Sequence, residues 1–188
     1  MDTTNKPKYG WVEGTVDKVV PKFPDQMSVV GPKHPLWVKR VEFEAAAILR
    51  YLTYLKRNGA RPWFQIQPIQ KKEYNFMVWK GHLTIPDRPD ILFQTRILLN
   101  PEYPKIPPRC FAEQSISNYC GKLYLESQWK DPDENQVYIM ICHDHMAEQD
   151  AWNANLGIAH FFIREVWFWW AAQQNFIMQE YDKKHKKN

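Results

Sequence analysis

Cys142 has the most suggestive setting of any side chain in this sequence. It ends the apolar run Val137-Tyr138-Ile139-Met140-Ile141 and opens a polar turn, His143-Asp144-His145. A thiol at such a junction is partly exposed with imidazoles nearby, and a thiolate is the nucleophile that cysteine contributes to acyl transfer. Free cysteine is also commonly a small buried hydrophobe, so local sequence leaves both readings of Cys142 open. Cys120 in Asn118-Tyr119-Cys120-Gly121-Lys122 is the competing thiol, and Cys110 is the third. His160, at the start of an apolar helical stretch, is either a satisfied core histidine or a proton carrier. A Cys142–His160 hydrolase dyad is formally available, but no third orienting group accompanies it. Ligands from the His143–His145 turn with His160 would be needed for a metal site, yet adjacent side chains rarely converge on one tetrahedron. The simpler reading of Asp144 and His145 is a hydrogen-bonded turn that shapes the approach to the thiol. Neither a metal nor an organic cofactor is implied.

Several elements must position these residues. Trp37, Val41, Ala45, Ile48, Leu52 and Leu55 recur at steps of four and three, the stripe of an amphipathic helix. Lys56 and Arg57 suit its C-terminal dipole, and Asn58-Gly59 ends it. The period then drops to two. Strands are predicted over 63–70, over 74–80 (stopping before Gly81), over 91–99, and briefly over 109–112. Short links between them favour an antiparallel meander. Asn100 to Pro108 holds four prolines and reads as a rigid surface crossing. Residues 114–136 read as a long polar loop, and a helix is expected from about Gly157 to Gln179. In that helix Trp167 and Trp170 share the inward face, leaving Phe168 or Trp169 exposed. The order implies an α+β fold: an N-terminal helix, an antiparallel meander sheet covered on one face, and C-terminal helices. The domain divides as an extended, proline-punctuated arm over 1–30, with a short element around Trp11, a single domain over 31–180, and a basic disordered tail over 181–188.

Composition narrows the function classes. With 188 residues, 44% hydrophobic and 15% aromatic, the chain can bury a core without disulfides. Three cysteines imply no disulfide framework and point to a reducing, cytoplasmic setting. No apolar signal core follows the polar start, and no apolar run approaches the ~20 residues of a membrane span. The net charge of +4 resides in Lys183, Lys184, Lys186 and Lys187; without them, 21 basic residues face 21 acidic ones. A cationic groove for nucleic acid would need that excess within the fold, so nucleic acid is not an expected partner.

The motif order resembles the ubiquitin-conjugating enzyme superfamily. Tyr103-Pro104-Lys105-Ile106-Pro107-Pro108 carries one signature and Ile141-Cys142 the next. The branch most similar is the ubiquitin-fold-modifier-conjugating enzyme family. Its features look like Gly31-Pro32-Lys33, Leu36-Trp37-Val38-Lys39-Arg40, Arg50-Tyr51, Asn58, Trp63-Phe64, Asp144-His145, Trp152, Asn155 and Gly157-Ile158-Ala159-His160. The resemblance covers about residues 31–175. It implies a ubiquitin-conjugating-enzyme-like fold and a catalytic Cys142 that receives a ubiquitin-like modifier from an activating enzyme as a thioester. The modifier then passes to a lysine amine, with a ligase partner and protein substrates. Asp144, His145 and His160 are the accompanying site residues it implies, and Lys39, Arg40 and the arm are implied contacts for the activating enzyme. The family's upstream His-Pro-Asn or Thr-Ala-Lys motif has no counterpart: the window reads Pro132-Asp133-Glu134. In a second register, Gly121-Lys122-Leu123-Tyr124-Leu125 resembles the superfamily's Gly-Lys-Ile-Cys-Leu with tyrosine at the cysteine position, which implies a binding module without chemistry.

Overall fold

In the computed structural model, residues 16–120, 124–141 and 152–185 are described. Chain order gives short helices α1 (Val16–Val19) and α2 (Asp25–Ser28), then the long α3 (Trp37–Arg57). Strands β1 (Phe64–Pro68), β2 (Val78–Ile85), β3 (Arg88–Leu98), β4 (Arg109–Glu113), β5 (Tyr124–Lys130) and β6 (Val137–Met140) follow. The chain closes with α4 (Ile158–Phe161), a π-helical turn over Phe162–Val166, and α5 (Trp167–His185). The protein is α+β, with one six-stranded antiparallel sheet in the order β1-β2-β3-β4-β6-β5 and helices at both ends.

The first four strands form the expected meander, and the last two depart from it. After β4 the chain passes through a 3-10 turn (Gln114–Asn118), takes the outer edge as β5, and returns as β6 between β5 and β4. Much of the stretch expected to be a polar loop is therefore a hairpin. Ser127, Gln128 and Lys130 carry no apolar alternation, because an edge strand gains its pairing from backbone bonds to one neighbour and needs little burial. The predicted strand over 74–80 is also displaced. Lys72–Tyr74 is a 3-10 turn, Asn75 and Phe76 hold positive φ (44° and 59°), and β2 runs through Gly81 rather than ending there. Gly81 faces Ile66 on one side and Thr95 on the other, and a Cβ at this position would overlap the Gln65 carbonyl. Glycine here permits close approach of two strands and is not a turn signal.

One face of the sheet carries the main core. Tyr51 of α3 stacks on Phe64 at 6.1 Å, and Phe64 meets Phe162 at 4.5 Å. Trp63 lies 5.1 Å from Trp167, and the Trp170 indole donates to the Thr84 carbonyl across the sheet. Trp167 and Trp170 are buried while Phe168 is 60% exposed, the division expected from 100° per residue. The opposite face carries apolar side chains as well, contributed by the strands themselves. Phe111, Tyr138 and Met140 form a second small cluster there, flanked by Leu98 and Trp129.

Residues 16–30 and 181–185 are more ordered than composition suggests. The arm contains α1 and α2, with Val20, Phe23, Met27 and Val30 buried. The Trp11 element lies outside the described residues. Beyond Gln179 the helix continues to His185, where a frayed tail was expected. The His185 ring stacks on Tyr181 at 3.9 Å, Lys183 pairs with Glu180, and Lys184 Nζ donates to the Asn118 carbonyl. Lys184 thus reaches the body of the protein, while Lys183 pairs within α5. Among the described residues, no helix is long and apolar enough to cross a membrane.

Replacing Gly81 with alanine drives a methyl group into the β1 backbone. The Gly81→Ala variant is expected to lose about 1–3 kcal/mol, the usual cost of overpacking, measured by chemical denaturation. A variant as stable as the wild type would show that β1 can yield.

Candidate functional site

The amphipathic pattern of α3 places Arg40 and Glu44 one turn apart beside its apolar stripe, and both are fully buried. Arg40 Nε bonds Glu44 Oε1 at 2.8 Å. The remaining guanidinium donors reach the Met27 carbonyl at 2.7 Å and the Leu156 carbonyl at 2.8 Å, and the planar group lies over the Phe23 ring at 4.1 Å. The Tyr103 hydroxyl donates to Glu44 Oε1, and the Ile158 amide donates to Oε2 at 2.8 Å. Burial pushes the Tyr103 hydroxyl well above its ordinary range, with the Glu44 charge adding to the shift. Tyr103 therefore acts as a donor that keeps its proton. The Tyr103–Pro104 peptide is cis.

A second ring of contacts surrounds this pair. Asn155 donates to the Phe23 carbonyl at 2.8 Å and to Asp25 at 2.9 Å, and accepts from the Phe23 amide at 2.7 Å. His160 is wholly buried: Nδ1 accepts from the Gly157 amide at 3.1 Å, and Nε2 faces the Val20 carbonyl at 2.9 Å. That arrangement requires the proton on Nε2, which joins α4 to the arm, while Nδ1 caps the start of α4. Gly157 packs so closely on Glu44 and Phe23 that a Cβ would overlap them. Trp152 Nε1 donates to the Pro104 carbonyl, and Trp37 Nε1 to the Asn75 carbonyl. Trp37 also meets the Tyr103 ring edge-on at 6.1 Å.

Residues singled out far apart in sequence are thus neighbours: Trp37, Arg40, Tyr103, Trp152, Asn155, Gly157 and His160 belong to one connected network. Sequence reasoning missed Glu44, which sits at its centre. The available signal was an Arg–Glu pair at i, i+4 on the apolar side of a helix, where solvated charges do not belong. Arg40 was an implied partner contact, and its burial removes it from any surface; Lys39 is exposed.

Cys142, Asp144 and His145 lie outside the described residues. The chain reaches them from Ile141, whose amide donates to the Cys110 carbonyl at 3.1 Å, and resumes at Trp152 on the proline-rich crossing. The other thiols are enclosed. Cys110 is fully buried, and burial pushes the Cys120 thiol up to about 12, so it is protonated at neutral pH. Among the described residues, no group of three His, Cys, Asp or Glu side chains could hold a metal ion.

The Pro132-Asp133-Glu134 window forms the turn between β5 and β6. Asp131 Oδ2 pairs with buried Arg96 at 2.8 Å, and Asp131 Oδ1 accepts from the Asp133 amide at 2.9 Å and the Glu134 amide at 3.4 Å. Glu134 also reaches Arg96 at 2.5 Å, and Arg96 lies under the Tyr138 ring at 4.6 Å. Hydrogen bonds from Lys71 and Tyr74 hold the Asp133 carboxyl below its usual range. The turn presents carboxylates, and the Asp133, Glu134 and Asn135 amides bond back to Asp131, which keeps these three donors from a developing oxyanion.

No protein-family model matches the chain, and no curated protein matches it in sequence.

Two outcomes follow from this geometry. Truncating Glu44 to alanine strands the buried Arg40 charge and is expected to cost about 3–5 kcal/mol, read as a lowered denaturation midpoint. A loss below about 1 kcal/mol, the range of a solvated pair, would contradict a buried network. In native protein at neutral pH, Cys110 and Cys120 are expected to resist iodoacetamide and to react after denaturation, as mapped by mass spectrometry.

Proposed function

We propose that this protein is a conjugating enzyme of the ubiquitin-fold-modifier type, carrying a ubiquitin-like modifier as a thioester on Cys142. One observation supports the reading most directly: seven of the residues that carry the family resemblance, spread from Trp37 to His160, meet in a single network around buried Arg40 and Glu44. In that arrangement they are joints of a shared scaffold, with a conjugating-enzyme-like fold as the finer reading of the α+β architecture. The reactive group is then the cysteine that follows β6.

The chemistry asks little of the protein beyond that thiol. The Cys142 thiolate attacks the carbonyl carbon of the modifier's thioester with the activating enzyme, and the tetrahedral intermediate collapses to expel the activating enzyme's thiolate. A lysine amine then attacks the new thioester, loses a proton to solvent or a nearby base, and releases Cys142 as the leaving thiolate. ATP is consumed upstream by the activating enzyme, and a ligase orients the acceptor protein. Asp144 and His145 would shape the approach to the thiol. His160, committed to Gly157 and Val20, supports the scaffold.

A second reading draws on the β5–β6 turn. Its carboxylates, and the Asp133 and Glu134 amides held by Asp131, make a poor oxyanion site, which favours a module that binds the modifier without forming a bond to it.

A charging assay with modifier, activating enzyme and ATP separates the two. On the first reading, wild type forms a reductant-sensitive adduct. Cys142→Ser forms a reductant-resistant ester or none, and Cys120→Ser charges normally. Modifier binding without an adduct on any cysteine, with the activating enzyme shown to be active, would support the binding module and overturn the enzyme.

A further inference from the structure

The network around Arg40 makes no use of the pattern around Trp11. Residues 9–14 read Tyr-Gly-Trp-Val-Glu-Gly, an apolar pair with one acid, bracketed by glycines. Residues 1–15 lie outside those described, and the arm is described from α1 onward. Its path follows α3 in reverse. The Met27 carbonyl accepts from Arg40, the cluster of Phe23, Met27 and Val30 packs on Ala47, and Lys18 and Val19 meet the C-terminal half of α3.

There α1 and α3 enclose an open groove of about 570 Å³. Its lining includes Leu49, which is 65% exposed, and half-buried Tyr54. Three exposed cations, Lys18, Arg50 and Arg57, line it too. Among the described residues, none of the ion pairs includes any of the three. The groove thus offers apolar surface and unpaired positive charge where the arm leads into it.

We infer that residues 9–14 of this chain seat in the groove between α1 and α3, with Trp11 on Leu49 and Tyr54 and Glu13 among the cations. Reach permits it: the stretch from Trp11 to Val16 extends to about 17 Å, and α3 runs about 12 Å from Leu49 to Arg57. Tryptophan supplies the anchor, since its side chain can bury about 150–250 Å². Glu13 is the one charged residue of the segment and is opposite in sign to the groove. Tethering selects this occupant over a second copy, because a short linker holds its segment at a millimolar effective concentration. While seated, the segment closes the outward side of the C-terminal half of α3, so anything binding there competes with the arm. The inference is independent of the chemistry proposed for Cys142.

Chymotryptic cleavage after Trp11 in the native full chain, mapped by mass spectrometry, tests this directly. Wild type is expected to be cut at least roughly tenfold more slowly than a free peptide of residues 5–17, since cleavage follows the unseated population. Leu49→Lys, at an exposed position and checked for native helix content by circular dichroism, should remove most of that protection. Arg50→Glu with Arg57→Glu should speed cleavage severalfold, and adding Glu13→Lys to that pair should slow it again. A wild type cut as fast as the peptide would overturn the inference. So would protection indifferent to Leu49→Lys, a charge swap that restores nothing, or protection that rises with protein concentration, which would place the segment on a second copy.

Discussion

The constraint on which most of this fold depends is the burial of one cation. Arg40 is fully enclosed, and a guanidinium in that position must find a partner for every donor it can. The partners come from four parts of the chain: Glu44 one helical turn away, the Met27 carbonyl in the arm, the Leu156 carbonyl before α4, and the Tyr103 hydroxyl at the proline-rich crossing. Glu44 brings the Ile158 amide into the same set. The pair contributes little net stability over an apolar substitute, because desolvation offsets most of the Coulomb attraction. Its effect is on arrangement, since a competing packing of the arm or of α4 would leave a charge or a carbonyl unpaired. The arm, the crossing and the segment before α4 are held in one register by the cost of the alternatives.

This explains which parts of the protein were legible in sequence. The first helix is read from its stripe of apolar residues, and β3 from its alternation, because burial on one face is what the period records. The β5–β6 hairpin leaves no such record: its turn is fixed by Arg96, Asp131 and Glu134, a polar cluster that periodicity counts as solvent-facing. Residues 181–185 of the basic tail depart from expectation for a related reason. Lysine runs ordinarily face water, but here a lysine reaches the Asn118 carbonyl and a stacked His185–Tyr181 pair holds the last turn. Composition describes what a segment prefers in isolation, and both segments are ordered by partners distant in sequence.

The candidate site divides along the same line. Residues recognisable by motif are joints: Trp37 and Trp152 donate indole protons to loop carbonyls, His160 couples α4 to the arm, and Gly157 lets the chain lie against Glu44. Glu44 escaped notice because a single glutamate in a charged helix has no pattern; only its enclosure distinguishes it. His160 was readable either as a core residue or as a proton carrier, and the choice turns on where its nitrogens point. Residue type alone does not carry that information.

A scaffold recognised through its joints is compatible with more than one chemistry. Joints fix where the chain goes after β6 and where it returns, and they constrain the electrostatics between those points far less. In the β5–β6 turn, two carboxylates, Asp133 and Glu134, occupy the window where the resembled family carries its upstream motif, and Asp131 just before it takes up two of the turn's amides. An acyl carrier built this way must draw oxyanion donors from elsewhere, from the segment after β6 or from a bound partner. A non-covalent module needs none. The two proposals therefore differ in one local property, the presence of a donor facing a tetrahedral oxyanion, while sharing every long-range contact around Arg40. Disruption of that network would impair either activity equally and cannot tell them apart; the distinction lies with the thiol after Ile141 and with whatever donates to the acyl group it holds.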